Sequence, residues 1–215
     1  MQKIVLQVVA AVLWLAAMYW LGDRDTIIGL GFTSFDIKWF YYPLMVLVIL
    51  YLTNAVNLTD GVDGLCGTVT LVAMLIFTLI CSKLQMETYT LFTMALAGGC
   101  LGFLVWNLHP AKCFMGDTGS MFLGAAVASV GLATHQHLVL ILVALVYILE
   151  ALSVMIQVTY FKYTKKKYGE GRRIFKMTPI HHHFEMSGFS EYKIVITFSL
   201  FGLIAGAVGL LLVTL

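Results

Sequence analysis

Seven long apolar runs leave this chain little choice of fold. They are Ile4–Leu21, Trp39–Asn54, Leu65–Ser82, Tyr89–Trp106, Ser120–Ala133, Leu138–Tyr160 and Ile194–Leu215. A helix needs about 20 mostly apolar residues to cross a bilayer, where its backbone must satisfy its own hydrogen bonds. Most of the runs approach that length, and the fifth is shorter and contains glycine. Strands of a membrane β-barrel would alternate apolar and polar residues over short segments, whereas these runs are continuous. Composition agrees: 60% of the 215 residues are hydrophobic and only 11% are charged, against roughly 25% charged in a soluble domain. The sequence predicts an all-α polytopic membrane protein with about seven transmembrane helices, built as one integral membrane domain over residues 1–215.

Charge sets the orientation. Eight of the 13 Lys and Arg residues lie between Lys162 and Lys193, with only Glu170, Glu185 and Glu191 among them. The positive-inside rule puts that stretch in the cytoplasm. Counting helices outward places 54–65, 107–119 and 161–193 on the cytoplasmic face, together with Lys3, and the loop 22–38 outside. That outer loop, "GDRDTIIGLGFTSFDIKW", has the glycine punctuation of a small hairpin. The N-terminal run is long for a signal peptide and lacks a small-residue cleavage site, so it is expected to remain as a helix. Cys66, Cys81, Cys100 and Cys113 form no CxxC pair, and they read as small apolar residues.

Three polar stretches share the cytoplasmic face. The first is "NAVNLTDGVDG", residues 54–64. One Asp-Gly pair is explained by a turn or cap. Two carboxylates, Asp60 and Asp63, are costly beside a bilayer and suggest a cluster that binds a cation or a ligand's donors. The second is "WNLHPAKCFMGDTGS", residues 106–120. Asp117 or Ser120 could cap the following helix. Capping does not need Gly116 and Gly119, which would let backbone approach an anion at a helix N-terminus. A carboxylate there suits Mg²⁺, which commonly joins protein carboxylate to substrate phosphate. Phe114 is either a stacking surface or a buried anchor. The third is "GRRIFKMTPIHHHFE", residues 171–185. Three adjacent histidines do not easily share one zinc ion. They can donate to phosphate or move protons. Glu150 and Gln157 lie seven apart, on one helical face. The first suggests a bond to another helix, and the second lies near the site. Gly98-x-x-x-Gly102 and Gly202-x-x-x-Gly206 suggest close helix packing.

"NAVNLTDGVDGL", "FMGDTGS" and "TPIHHHFE", in this order, resemble the polyprenyl-phosphate N-acetylhexosamine-1-phosphate transferases. The triple histidine after Thr-Pro-Ile points to their phospho-N-acetylmuramoyl-pentapeptide transferase branch. The resemblance runs from about the first helix to the C-terminus. It implies transfer of phospho-MurNAc-pentapeptide from UDP-MurNAc-pentapeptide to undecaprenyl phosphate, with Mg²⁺, releasing UMP, in the bacterial cytoplasmic membrane. It also implies a homodimer. By the same resemblance, Asp117 would ligate Mg²⁺. Asn54, Asn57, Asp60 and Asp63 would organise the catalytic and nucleotide pocket. Asn107, Phe114 and Gly116 would lie on the uracil and phosphate side. His181, His182 and His183 would contact the sugar-diphosphate, with Gln157 nearby.

The family has about ten such helices and an Asp-Asp pair in its N-terminal part, and no Asp-Asp occurs in this sequence. The expectation is that this chain corresponds to the C-terminal portion, with little turnover by itself. Two alternatives remain. A GlcNAc-1-phosphate transferase would use UDP-GlcNAc. A transporter subunit would place its polar groups near the bilayer midplane, whereas here they lie at helix ends.

Overall fold

The computed structural model describes residues 2–29 and 33–213. Residues 30–32, in the expected outer loop, and 214–215, at the end of the last apolar run, lie outside the described residues. Every apolar run is mostly helix over its described residues. In chain order these are α1 (Gln2–Trp20), α2 (Tyr41–Thr59), α3 (Leu65–Lys83), α4 (Glu87–Asn107), α5 (Gly116–Ala133), α6 (His137–Val143), α7 (Leu145–Tyr168), α8 (Ile180–Glu185) and α9 (Glu191–Leu212). The outer loop does form a hairpin. β1 (Ile27–Gly29) pairs antiparallel with β2 (Ser34–Asp36), Ile27 opposite Asp36.

Among the described residues, six of the helical segments are long and apolar enough to cross a membrane, so the chain is a multi-pass membrane protein. The seventh expected span, α5, falls short. Its first turn is the polar Gly-Asp-Thr-Gly-Ser, which leaves too little apolar length. The sixth run divides at Ala144 into α6 and α7, yet hydrogen bonding runs through the break, from Ala144 to Leu140 and from Ile148 to Ala144, each at 2.9 Å. Helix α7 then continues past the apolar run to Tyr168. Lysines in its last turn complement the negative end of the helix dipole, and Gly169, at φ +80°, ends it. The expected loop 161–193 therefore begins as helix, and 54–59 likewise belongs to α2.

Helix α3 is the hub. It packs on α4 and α9 and is mostly buried, whereas α1 at the edge is mostly exposed. Tyr147, Phe77, Met74 and Leu65 fill the centre, and the hydroxyls of Tyr147 and Thr70 meet at 2.9 Å. The two glycine pairs divide. Close packing holds at Gly206, where an added Cβ would come within 2.9 Å of Ile76. At Gly98 and Gly102 an added Cβ would meet nothing. Those two glycines lie on the outward face of α4, so packing within this chain is not their role.

The crossing of α2 and α5 positions the site. A Cβ at Gly124 would lie 2.7 Å from Thr53 Cα and 3.0 Å from the Leu52 carbonyl oxygen. Backbone meets backbone there, so no side chain can move aside. Gly124→Ala is expected to lower stability by about 1–3 kcal/mol, the usual range for overpacking. A thermal unfolding midpoint in detergent that matches wild type would contradict the crossing.

Candidate active site

The three polar stretches converge on one end of the bundle. Helix α2 ends at Asp60, where Asp-Gly stops the helix, and Gly64, at φ +78°, begins α3. Gly116, at φ +67°, turns the chain into α5. No side chain caps α5: its N-cap is Met115, and Asp117 and Ser120 both lie inside the helix. The capping explanation of Asp117 therefore fails, and its carboxylate is directed elsewhere.

That carboxylate meets α2 and α1. Asn57 Nδ2 donates to Asp117 Oδ1 at 3.0 Å and to Ser120 Oγ at 2.9 Å. Lys3 Nζ donates to Asp117 Oδ2 at 2.9 Å and to Asn57 Oδ1 at 3.5 Å. The Asp117 side chain is still 72% exposed. Asp60 stands close enough for the charge of Asp117 to act on it. Burial first, and that charge second, push the Asp60 carboxyl up to about 6. Two carboxylates, the Asn57 amide oxygen and an ammonium thus share one small region. Oxygen donors of this kind fit a hard divalent cation, and the Lys3 ammonium already supplies a positive charge against Asp117. Gly116 has open space where a Cβ would stand.

Asp63 is not part of this pair. Its Oδ2 accepts from Ala111 N at 2.9 Å and lies 3.2 Å from His109 Nδ1, which is also 3.2 Å from Glu191 Oε1. Glu191 Oε2 accepts from Asp63 N at 3.1 Å. This knot ties the α2–α3 turn, the α4–α5 loop and the start of α9 together. Asn107 does similar work: buried, it accepts from Gly64 N at 3.2 Å and donates to the Cys113 carbonyl at 2.8 Å. Asn54 is held by Gln7, to which its Nδ2 donates at 3.0 Å, and by the Leu50 carbonyl at 2.8 Å. Gln157 is spent on the backbone, accepting from Ile174 and Phe175 and donating to the Phe175 carbonyl at 3.0 Å. Phe114 settles the other way: at 75% exposure it is an open aromatic face and not a buried anchor.

The histidines separate into three environments. His181 is fully buried, with Nδ1 3.0 Å from Glu150 Oε2. His183 Nδ1 accepts from Lys176 N at 3.1 Å and so pins the preceding loop. His182 is partly exposed. Its Nδ1 lies 2.8 Å from Glu185 Oε2, and its Nε2 would be 3.5 Å from a Cβ on Gly61. Of the three, only His182 combines exposure with a position beside the Asp60–Gly61 turn. Sequence reasoning grouped the histidines because they are adjacent. It missed His109 and Glu191, whose partners lie tens of residues away, and it gave Lys3 no role at the site.

Residues 1–135 match the family described as glycosyl transferase family 4. The chain belongs to glycosyl transferase family 4. Among curated relatives of this family-4 chain, the phospho-N-acetylmuramoyl-pentapeptide-transferase of Moorella thermoacetica is 45% identical over 99% of the chain and 64% of the relative. The protein of the same name from Carboxydothermus hydrogenoformans is 52% identical over 77% of the chain and 49% of the relative. That of Listeria monocytogenes is 39% identical over 99% of the chain and 64% of the relative. The chain thus spans at most 64% of the length of these relatives.

The Asp60 environment makes a signed prediction. Its carboxyl is raised from 3.8 to about 6, so the fold favours the protonated form. The associated stability is present below about pH 4 and is lost as pH rises through about 6. In buffer with a chelator, Asp60→Asn is expected to raise the unfolding midpoint relative to wild type above pH 6, with the difference closing below pH 4. An equal difference at both ends would contradict this environment.

Proposed function

We propose that this chain forms the catalytic face of an enzyme that transfers phospho-MurNAc-pentapeptide from UDP-MurNAc-pentapeptide to undecaprenyl phosphate. The observation that carries the reading is the gathering of Asp60, Asp117, Asn57 and the histidine-bearing helix α8 at one end of the bundle. The name of the relatives agrees with it. The site faces the cytoplasm of a bacterial inner membrane, because the Lys- and Arg-rich stretch 162–193 lies at the same end.

The reaction is a displacement at phosphorus. An oxygen of the lipid phosphate attacks the sugar-linked phosphorus of the diphosphate. The bond from that phosphorus to the UMP oxygen breaks, and UMP leaves. Such reactions depend mainly on positioning and charge neutralisation. Asp117 would hold Mg²⁺, with Asp60 beside it. When bound, the ion would neutralise the diphosphate charge. Asn57 orients the Asp117 carboxylate. Phe114 offers its ring to the uracil, and His182, oriented by Glu185, donates to the sugar-diphosphate. An apolar groove of about 620 Å³ between α1, α2 and α5 ends at Lys3 and Asp117. Its lining suits a polyprenyl chain, and its polar end suits the attached phosphate.

The test uses the full-length protein in detergent with polyprenyl phosphate, following UMP release. Magnesium-dependent release is expected with UDP-MurNAc-pentapeptide and not with UDP-GlcNAc. Asp117→Asn is expected to lower turnover by about 100-fold or more, the scale of lost charge stabilisation. A rate within about twofold of wild type would remove the metal assignment.

A further inference from the structure

Glu150 on α7 and His181 at the start of α8 are both fully buried. A buried carboxylate is costly unless it is paired and hydrogen-bonded. Glu150 Oε2 lies 3.0 Å from His181 Nδ1 and accepts from the His181 backbone N–H at 3.4 Å. Glu150 Oε1 is buried without a hydrogen-bond partner among the described residues, so the Oε2 contact with His181 is what holds this carboxyl, and it sets the plane of the ring whichever of the two carries the proton. The opposite edge of the ring then faces the α2–α3 turn. His181 Nε2 is buried without a hydrogen-bond partner among the described residues, and a Cβ on Gly61 would lie 2.4 Å from it and 2.9 Å from Cε1. The imidazole edge therefore rests on the Gly61 backbone, and any side chain at 61 would displace it.

Asp60 immediately precedes Gly61. Among the described residues its side chain makes no hydrogen bond or ion pair, and its backbone N–H reaches only Asn57 O, at 3.4 Å. With nothing gripping the carboxylate itself, the turn decides where it stands.

We propose that Glu150 is a positioning residue for the phosphotransfer site: acting through His181, it holds Gly61, and with it Asp60, in place beside Asp117. The proposal rests on the reading of Asp60 and Asp117 as the reaction centre. An apolar pair of similar volume could fill the same space, but it would leave the ring orientation unset. Neither Glu150 nor His181 touches substrate in this arrangement.

The test compares Glu150→Gln, Glu150→Asp, Gly61→Ala and the double variant Glu150→Gln/Gly61→Ala in the full-length protein. Glu150→Gln and Gly61→Ala are each expected to lower kcat by about 10- to 100-fold, the scale of a small misplacement at a reacting centre. The KM for the nucleotide sugar is expected to stay within about twofold. Glu150→Asp keeps the carboxylate and loses less than Glu150→Gln. The double variant loses no more than the worse single variant, because both act on one turn. Unchanged kcat in the single variants, multiplying losses in the double, or a greater loss in Glu150→Asp than in Glu150→Gln would each overturn the proposal. A second measurement is independent of activity. The ¹⁵N amide signal of Gly61 is expected to move in Glu150→Gln while that of Gly29, in the outer hairpin, stays; an unmoved Gly61 signal overturns the proposal. If the wild-type protein released no UMP, the proposed reaction would fail, and the amide signals would still decide whether Glu150 positions the turn.

Discussion

The side-chain amide of Asn57 is the contact on which the site depends. Its two N–H groups reach Asp117 and Ser120, so the last turn of α2 and the first turn of α5 are joined at the end of their crossing. That geometry is possible only because Gly124 lets the two backbones touch further along. Once the crossing is set, Asp117 is turned toward α1 and Asp60 is brought near it. Burial first, and the charge of Asp117 second, push the Asp60 carboxyl up. The arrangement therefore favours positive charge, supplied here by Lys3.

Around that pair, most of the polar residues serve as ties. Asp63, His109 and Glu191 link three segments, Asn107 links two, and Gln157 holds the backbone before α8. Polar groups near a bilayer are costly when unpaired, and spending them on backbone satisfies them while setting the loops. At that end Asp117 and Phe114 stay exposed, and Asp60 and His182 partly so. Few open groups on a tied frame suit the proposed phosphoryl transfer, since positioning does most of the work in such chemistry.

Much of this was legible in the chain. Apolar runs of bilayer length gave the helices and the glycine-punctuated outer loop gave the hairpin, because both signals are local. The motif residues were legible as a group, since carboxylates, glycines and histidines stand out in an apolar sequence. Their separate duties were not. Asp60 and Asp63 are three residues apart and chemically alike, yet one faces Asp117 and the other is bound to Ala111 and His109. Three consecutive histidines have no sequence feature to tell them apart, and the helical turn of α8 sends them to three different partners.

The sequence by itself determined that this chain spans a membrane several times and carries its polar motifs at one end. Both follow from hydrophobic run length and charge bias, which need no knowledge of neighbours. Only the tertiary structure decided which motif residues stay open and which become ties. That choice rests largely on contacts between residues far apart in the chain, such as Asn107 with Gly64, 43 positions away, and Asp63 with Glu191, 128 positions away. It also made Glu150 a support for a distant turn, because the meaning of a buried charge lies in its partner.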